Sequence, residues 1–106
     1  MIMNEKKLKN LLSMAQRANM LASGEFAAEQ AIRGGKAKML LVAADASAET
    51  KKRYENMTTN NGVSLYFVLN KEELGQIIGK EFRAAVVILN QGFAKAAAKC
   101  MVDIYE

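Results

Sequence analysis

Residues 23–45 limit most strongly what this chain can fold into. The segment opens with a serine and a glycine, continues through apolar positions at helical spacing to the Gly34-Gly35 pair, and ends in the apolar run 39–44. Glycine supplies the left-handed backbone with which helices commonly finish. An apolar run without polar alternation is typical of a strand covered on both faces. The segment therefore predicts a helix, a turn that reverses the chain, and a central strand of an α/β sheet.

The chain before this segment predicts an amphipathic helix and a short strand. Leucine and alanine recur at helical spacing between Leu8 and Ala18, and lysine and arginine occupy other positions of the same stretch. Asn4 is placed to cap this helix, because its side chain can accept hydrogen bonds from backbone N–H groups of the first turn. Residues 20–22 predict a short edge strand that leads into the serine-glycine turn.

Three helices and two strands are predicted after the central strand. They are a helix from Ser47 as cap to about Asn60, a strand over 63–69, a helix over 71–78 capped by Asn70, a strand over 84–89, and a helix from about Gly92 to Met101. Glu49 and Arg53, four residues apart in the first of these helices, are expected to form a modest ion pair.

The alternation of helices and strands predicts an α/β protein in which helical layers cover both faces of the sheet. Crossovers of this length usually link parallel neighbouring strands. We expect a single domain over residues 1–106, because a chain of 106 residues has room for one modest core.

Charge and composition limit the function classes. The chain has 15 Lys and Arg against 11 Asp and Glu, and its formal net charge of +4 favours a polyanionic partner, with nucleic acid as the leading class. It contains no histidine and one cysteine, so the commonest general base is missing and neither a thiol dyad nor a usual zinc site can form. Most familiar hydrolase and metal mechanisms are thereby excluded.

The sequence also suggests where the protein is found. The apolar runs are too short to cross a bilayer as helices, and the first residues do not resemble a signal sequence. The single Cys100 cannot form an internal disulfide. We expect a cytoplasmic protein with no membrane partner.

The positive evidence for a binding site lies around the helix that Gly24 opens. The first N–H groups of a helix have no partner and its dipole is positive there, so a phosphate can bind at this end. Arg33, Lys36 and Lys38 follow along the chain and add positive charge. Glu25 leaves another interpretation open, because its carboxylate can satisfy the same donors while the cations form an ordinary solvated face.

Asp45 follows the central strand directly, where α/β proteins often place functional groups. We interpret it as a cap of the following helix, because no second carboxylate or base is visibly paired with it. An enzyme that uses Asp45 with Lys38 is the least favoured alternative.

Three runs of the sequence also carry a resemblance to a known family. They are Ser23-Gly24 with Gly35-Lys36-Ala37-Lys38-Met39-Leu40-Leu41-Val42-Ala43-Ala44-Asp45-Ala46-Ser47, then Lys71-Glu72-Glu73-Leu74-Gly75 with Gly79, and Gln91-Gly92-Phe93-Ala94. In this order, over about residues 8–99, the chain resembles the kink-turn RNA-binding family of ribosomal proteins seven-Ae and thirty-e, and most of all its small bacterial YlxQ-like branch. The resemblance implies a three-layer α/β/α sandwich with a mixed, roughly four-stranded sheet, no catalytic activity and no cofactor.

The resemblance also implies how RNA is read. In that family the helix opened by the glycine enters the widened major groove beside the kink and reads tandem sheared G·A pairs. Where the family has Gly-x-Asn-Glu-x-x-Lys, this chain keeps Gly24 but has Phe26, Ala27 and Gln30 at the three base-reading positions. Phenylalanine and alanine cannot replace hydrogen bonds to base edges. Gln30 can still form hydrogen bonds, and Phe26 either stacks on an unpaired base or fills a core position.

A second loop of that family covers the flipped-out nucleotide of the bulge, and it matches residues 79–85 here. In this loop Lys80 and Arg83 can bind phosphate. Phe82 either lies over the extruded nucleotide or plugs the core. The RNA interpretation requires that residues 23–38 and 79–83 do not lie on opposite sides of the molecule, and that acidic groups do not neutralise the area between them.

We therefore predict a small, non-enzymatic RNA-binding protein that recognises kinked or bulged structured RNA, such as ribosomal RNA, as a monomer and without a metal. The predicted RNA-binding residues are Ser23, Gly24, Glu25, Phe26, Ala27, Gln30, Arg33, Lys36, Lys38, Lys80, Phe82 and Arg83. The alternative is a protein-interaction module on the same fold that has lost kink-turn reading, since an exposed phenylalanine beside two alanines would form an apolar patch.

Overall fold

The computed structural model describes residues 4–101, in which helices and strands alternate as the sequence predicts. The helices are α1 (Glu5–Arg17), α2 (Glu25–Arg33), α3 (Ala48–Asn61), α4 (Lys71–Ile77) and α5 (Gln91–Cys100), and the strands are β1 (Leu21–Ser23), β2 (Met39–Val42), β3 (Leu65–Phe67) and β4 (Ala85–Ile88). The predicted domain limits at residues 1 and 106 lie outside the described residues.

The strands form one mixed sheet in the order β1-β4-β2-β3. β2 pairs with β3 in parallel, and β4 lies antiparallel to both β1 and β2. In one layer α2 packs on α3, and in the other α1 packs on α4 and α5. The predicted three-layer α/β/α sandwich with a mixed four-stranded sheet is confirmed, and β2 lies in the sheet interior as expected.

Strand β4 departs from the expected parallel crossover for a local reason. The helix α4 is short, and the backbone N–H of Arg83 donates to the carbonyl of Lys71 at 3.0 Å. The segment from α4 to Arg83 therefore brings the chain back to the end of the sheet at which β3 finishes. Strand β4 starts from that end and must run antiparallel to β2.

The core lies on both faces of the two inner strands. All residues of β2 and β4 are buried, and the helices cover them with apolar side chains. These side chains include Leu8, Leu12 and Ala15 of α1, Ala28 and Ile32 of α2, Tyr54 of α3, Leu74 of α4 and Ala97 of α5. The continuous apolar runs of the inner strands are explained by this burial on two sides.

The strand predicted over 63–69 is wrong in its extent and its burial. Strand β3 covers only Leu65–Phe67, at the edge of the sheet, where its side chains are half-buried or exposed. The ring of Phe67 is partly covered by Lys51, whose Nζ lies 5.5 Å from the ring centroid. An apolar run alone does not distinguish such an edge strand from an inner one.

The predicted caps of α1, α3 and α4 are confirmed. The side chains of Asn4, Ser47 and Asn70 each accept a hydrogen bond from the backbone N–H three residues later, at 3.0, 3.1 and 2.8 Å. The interpretation of Asp45 as cap of the following helix is wrong, because Ser47 takes that role. Asp45 Oδ1 instead accepts from the backbone N–H of Lys71 at 2.9 Å, so it fixes the start of α4 beside the end of β2.

Gly75 decides where the loop after α4 lies. A Cβ placed on Gly75 would come within 2.5 Å of the carbonyl oxygen of Glu81 and 2.8 Å of the backbone N of Phe82. The backbone N–H of Lys80 also donates to the carbonyl of Gly75 at 2.8 Å. The loop 79–83 is therefore packed directly against α4, which only glycine at this position permits.

We expect Gly75→Ala to lower the free energy of unfolding by about 1–3 kcal/mol, because the added methyl group must displace backbone rather than a flexible side chain. In an unconstrained helix the same change would stabilise by about 1 kcal/mol. Urea unfolding followed by circular dichroism measures the difference. Gln76→Ala, at an exposed position of the same helix, is the control and should change stability little. A stabilised Gly75→Ala variant would contradict the packing described here.

Candidate nucleic-acid interface

The turn from β1 into α2 is built on Gly24. Its φ of 92° and ψ of 150° fall in a region that only glycine adopts readily. The first backbone hydrogen bond of the helix runs from the N–H of Ala28 to the carbonyl of Gly24 at 2.9 Å, and no side chain of residues 4–101 caps the N–H groups before it. A Cβ on Gly24 would have no atom of these residues within 4 Å, so a methyl group has room there.

The loop 79–83 lies beside this turn. Arg83 Nε donates to Ser23 Oγ at 3.3 Å, and Arg83 Nη1 donates to the carbonyl of Phe82 at 2.8 Å. Ser23 is paired with Val86 at the start of β4, so the start of α2 and the loop share one end of the sheet. The structure therefore brings Ser23 at the start of the first predicted segment together with Arg83 at the end of the second.

Between α2, α3 and this loop is a cavity of about 270 Å³. Its lining consists of Gly24, Glu25, Arg53, Tyr54, Phe82 and residues 83–85. Arg53 also lines this cavity, and the sequence does not predict it as a site residue. The predicted ion pair between Glu49 and Arg53 is wrong, because the side chain of Arg53 points toward α2. This position depends on the packing of α3 on α2, which the sequence does not show.

Glu25 is the partner of Arg53. Arg53 Nη2 donates to Glu25 Oε1 at 2.8 Å, although the side chain of Glu25 remains 74% exposed. This hydrogen bond and the positive charge of Arg53 lower the pKa of Glu25, so the carboxylate stays ionised to a lower pH than an ordinary glutamate does. The stabilisation that the pair provides is present above the ordinary glutamate pKa and is lost as the pH falls through the lowered value.

Arg53 is also held from its other side. Its guanidinium carbon lies 5.0 Å from the centroid of the Tyr54 ring, and the hydrogen bond to Glu25 raises its pKa. Tyr54 itself is buried, and this burial raises the pKa of its phenol. Glu29, one turn after Glu25, is engaged elsewhere, because its Oε2 accepts from Arg33 Nε at 2.9 Å.

Both phenylalanines of the predicted site face solvent. Phe26 is 75% exposed and Phe82 is 57% exposed, so the interpretations of either as a core residue are wrong. The helical spacing of Phe26, Gln30 and Arg33 places them on the outer face of α2, because the opposite face packs on the sheet. Together with Ala27, Lys36 and Leu89 they line an open, mainly apolar groove of about 810 Å³.

The cations that follow α2 lie away from the loop. The nine residues of α2 extend about 13 Å from Gly24, and the turn that ends the helix is at the other end of the sheet. There the backbone N–H of Lys38 donates to the carbonyl of Ile88 at 2.8 Å. The length of α2 therefore separates Lys36 and Lys38 from the loop 79–83, although Lys36 lines the same groove as Phe26.

Comparison with known proteins decides the family. The sequence pattern of the ribosomal protein L7Ae/L30e/S12e/Gadd45 family matches residues 6–98 of the chain. The chain belongs to this family. The resemblance seen in the sequence is thereby confirmed.

Two proteins named RNA-binding protein YlxQ are similar to this chain. The protein from Enterococcus faecium is 38% identical over 92 residues, which cover 87% of this chain and 88% of that protein. The protein from Bacillus subtilis (strain 168) is 38% identical over 84 residues, which cover 79% of this chain and 84% of that protein. Both names describe RNA-binding proteins rather than enzymes.

Two solved structures have the same fold as this chain. A protein of unknown function from Bacillus halodurans C superposes with a TM-score of 0.85 at 28% identity, covering 90% of this chain and 96% of that chain. The Giardia lamblia 15.5kD RNA binding protein superposes with a TM-score of 0.77 at 22% identity, covering 92% and 87%. The second likeness is one of fold alone.

Within residues 4–101, the structure contains neither a membrane-spanning helix nor a group of metal-binding side chains. No helix there combines the length and hydropathy that crossing a bilayer would need. No three His, Cys, Asp or Glu side chains there are grouped so that they could hold a metal ion.

We expect Gly24→Ala to lower the free energy of unfolding by about 1–3 kcal/mol, because alanine rarely adopts this backbone conformation even where a methyl group has room. Thermal and urea unfolding measure the loss. Gln30→Ala, at an exposed and already helical position of α2, should leave stability nearly unchanged. An unaltered midpoint for Gly24→Ala would show that the turn relaxes freely.

Proposed function

We propose that this chain is a non-enzymatic RNA-binding protein that recognises kinked or bulged structured RNA. The contact between Arg83 and Ser23 carries the proposal, because it joins the open start of α2 to the loop 79–83 as one continuous surface. Membership of the L7Ae/L30e/S12e/Gadd45 family, and two relatives named as RNA-binding proteins, support the same class of partner.

Phosphates of the RNA are the first ligands of this surface. The uncapped N–H groups at the start of α2 and the positive end of its dipole attract an anion, and Gly24 has no side chain that could cover them. Arg83 has no carboxylate partner among the described residues, and Lys80 is exposed on the same loop. These groups can hold the backbone on both sides of a kink.

Bases are recognised mainly by stacking and shape. Phe26 presents an exposed ring one position beyond Glu25, and Phe82 presents another at the edge of the cavity of about 270 Å³. Unpaired bases in folded RNA stack on such rings, and stacking tolerates sequence because every base has a π face. Gln30, one helical turn after Phe26, can add a hydrogen bond to a base edge. The RNA can be ribosomal, and we propose that a single copy of the chain binds it in the cytoplasm.

We expect Arg83→Ala to weaken binding of a kink-turn RNA whatever its sequence, and to reduce the slope of log affinity against log salt by about one unit, as loss of one phosphate contact does. Fluorescence anisotropy over a series of KCl concentrations measures both. Arg17→Ala, which removes an exposed arginine at the end of α1, is the charge-matched control. The double variant Arg33→Ala with Lys36→Ala tests the far end of α2, and unchanged affinity and slope would remove that end from the site.

We expect tighter binding to a kink-turn RNA than to the same RNA with its tandem G·A pairs disrupted, because the kink presents the unstacked base and the bent backbone together. The preference should be modest, since a bidentate base contact is worth about 1–3 kcal/mol and Phe26 and Ala27 form none. Gel-shift titration with both RNAs measures the ratio. Equal affinity for the two RNAs would contradict kink-turn recognition.

A protein-interaction module remains the alternative, and one observation favours it. The groove of about 810 Å³ along α2 is mainly apolar and has the exposed ring of Phe26 at one end. Exposed apolar surface of this kind often contacts another protein. Failure to prefer kink-turn RNA, together with loss of a co-purifying protein in Phe26→Ser, would favour this alternative.

A further inference from the structure

Arg53 lies where the three parts of the proposed RNA surface meet. It lines the cavity between the start of α2 and the loop 79–83, together with Phe82 and Arg83. Its guanidinium carbon lies 5.0 Å from the centroid of the Tyr54 ring, which restricts its position. A guanidinium placed in this way can bind an anion that enters the cavity.

The anion that Arg53 binds in the free protein is its own Glu25. Among the ion pairs of residues 4–101, only Glu25 with Arg53 lines this cavity, because Lys9 pairs with Glu73 beside α4 and Arg33 pairs with Glu29 farther along α2. Carboxylate and phosphate oxygens accept from a guanidinium in the same way. A phosphate oxygen could therefore accept the hydrogen bond that Glu25 accepts in the free protein.

A purely structural role explains this pair poorly. The side chains of Glu25 and Arg53 are 74% and 45% exposed, and exposed ion pairs contribute little to stability. The carboxylate does not cap α2 either, since no side chain hydrogen-bonds to the helix start. The pair is therefore weak enough to be exchanged, and it places a negative charge at the mouth of a surface proposed to bind RNA.

Building on the RNA-binding function proposed above, we infer that Arg53 binds an RNA phosphate and that Glu25 competes with RNA for Arg53. When the RNA binds, the hydrogen bond from Arg53 Nη2 passes from the carboxylate to a phosphate oxygen, and Glu25 turns into solvent. A single phosphate gains little binding free energy, because it replaces one anion by another. An RNA that also contacts Arg83 and the start of α2 gains binding free energy from those contacts, which offsets the loss of the Glu25–Arg53 pair. The exchange therefore favours folded RNA over isolated anions.

The test compares Glu25→Gln with a charge-matched control on α3. Glu55→Gln removes the same charge from an exposed carboxylate that has no ion-pair partner among the described residues. In anisotropy titrations with a labelled kink-turn RNA, Glu25→Gln should tighten binding about two- to fivefold beyond Glu55→Gln, the range that an exposed ion pair of this strength allows. Arg53→Ala should weaken binding, and Glu25→Gln should give no gain in the Arg53→Ala background.

Several outcomes would overturn the inference alone. The first is that Glu25→Gln and Glu55→Gln raise the affinity for the RNA equally. The second is that Glu25→Gln still raises the affinity in the Arg53→Ala background. The third is that Glu25→Gln lowers the affinity. Thermal unfolding monitors the fold of each variant, and Arg53→Lys, which keeps the charge, should retain part of the affinity that Arg53→Ala loses. Absence of kink-turn binding by the unaltered protein and by every variant would instead overturn the proposed function, and this inference with it.

Discussion

The architecture of the candidate site depends on how the chain returns from α4 to the sheet. The hydrogen bond between the Arg83 N–H and the Lys71 carbonyl closes the segment that contains α4, and the close approach of the loop to Gly75 holds it there. Because of this closure β4 enters from the end at which β1 finishes. The loop 79–83 consequently lies beside Gly24, and without that geometry the helix start would face solvent alone.

Electrostatics then decides which cations of this surface are available. The net charge of +4 suggests a uniformly basic surface, but the structure shows that Arg33 and Arg53 each have a carboxylate partner. Arg83 is bonded only to neutral oxygen atoms among residues 4–101. The chain therefore has cations that are paired with a carboxylate and one cation in the candidate site, Arg83, that is not.

Much of the fold can be predicted from the sequence because its signals are local. Caps such as Asn4, Ser47 and Asn70 act within one turn, and the buried runs of β2 and β4 are continuous in the chain. The errors concern contacts between distant segments. Asp45 bonds to Lys71 rather than to its own following helix, and no local pattern reveals this partner.

The candidate site also contains some residues that local sequence signals predict and others whose position depends on contacts between distant segments. Gly24, Phe26 and the loop around Arg83 are recognisable because a motif places them in order along the chain. Arg53 cannot be recognised in this way, because its position in the site depends on the packing of α3 on α2. Its spacing to Glu49 in the sequence suggests a different ion pair. The distance of Lys38 from the loop depends likewise on the strand register, which pairs Met39 with Ile88 and Ser23 with Val86.

The two outer strands have a consequence for how the molecule behaves in a crowded solution. β1 and β3 are each three residues long, so each offers an incoming strand few main-chain groups to bond with. On β3 the ammonium of Lys51 lies over Phe67, which places a charge beside the exposed ring. Both borders of the sheet thus resist being extended by a strand of a second polypeptide.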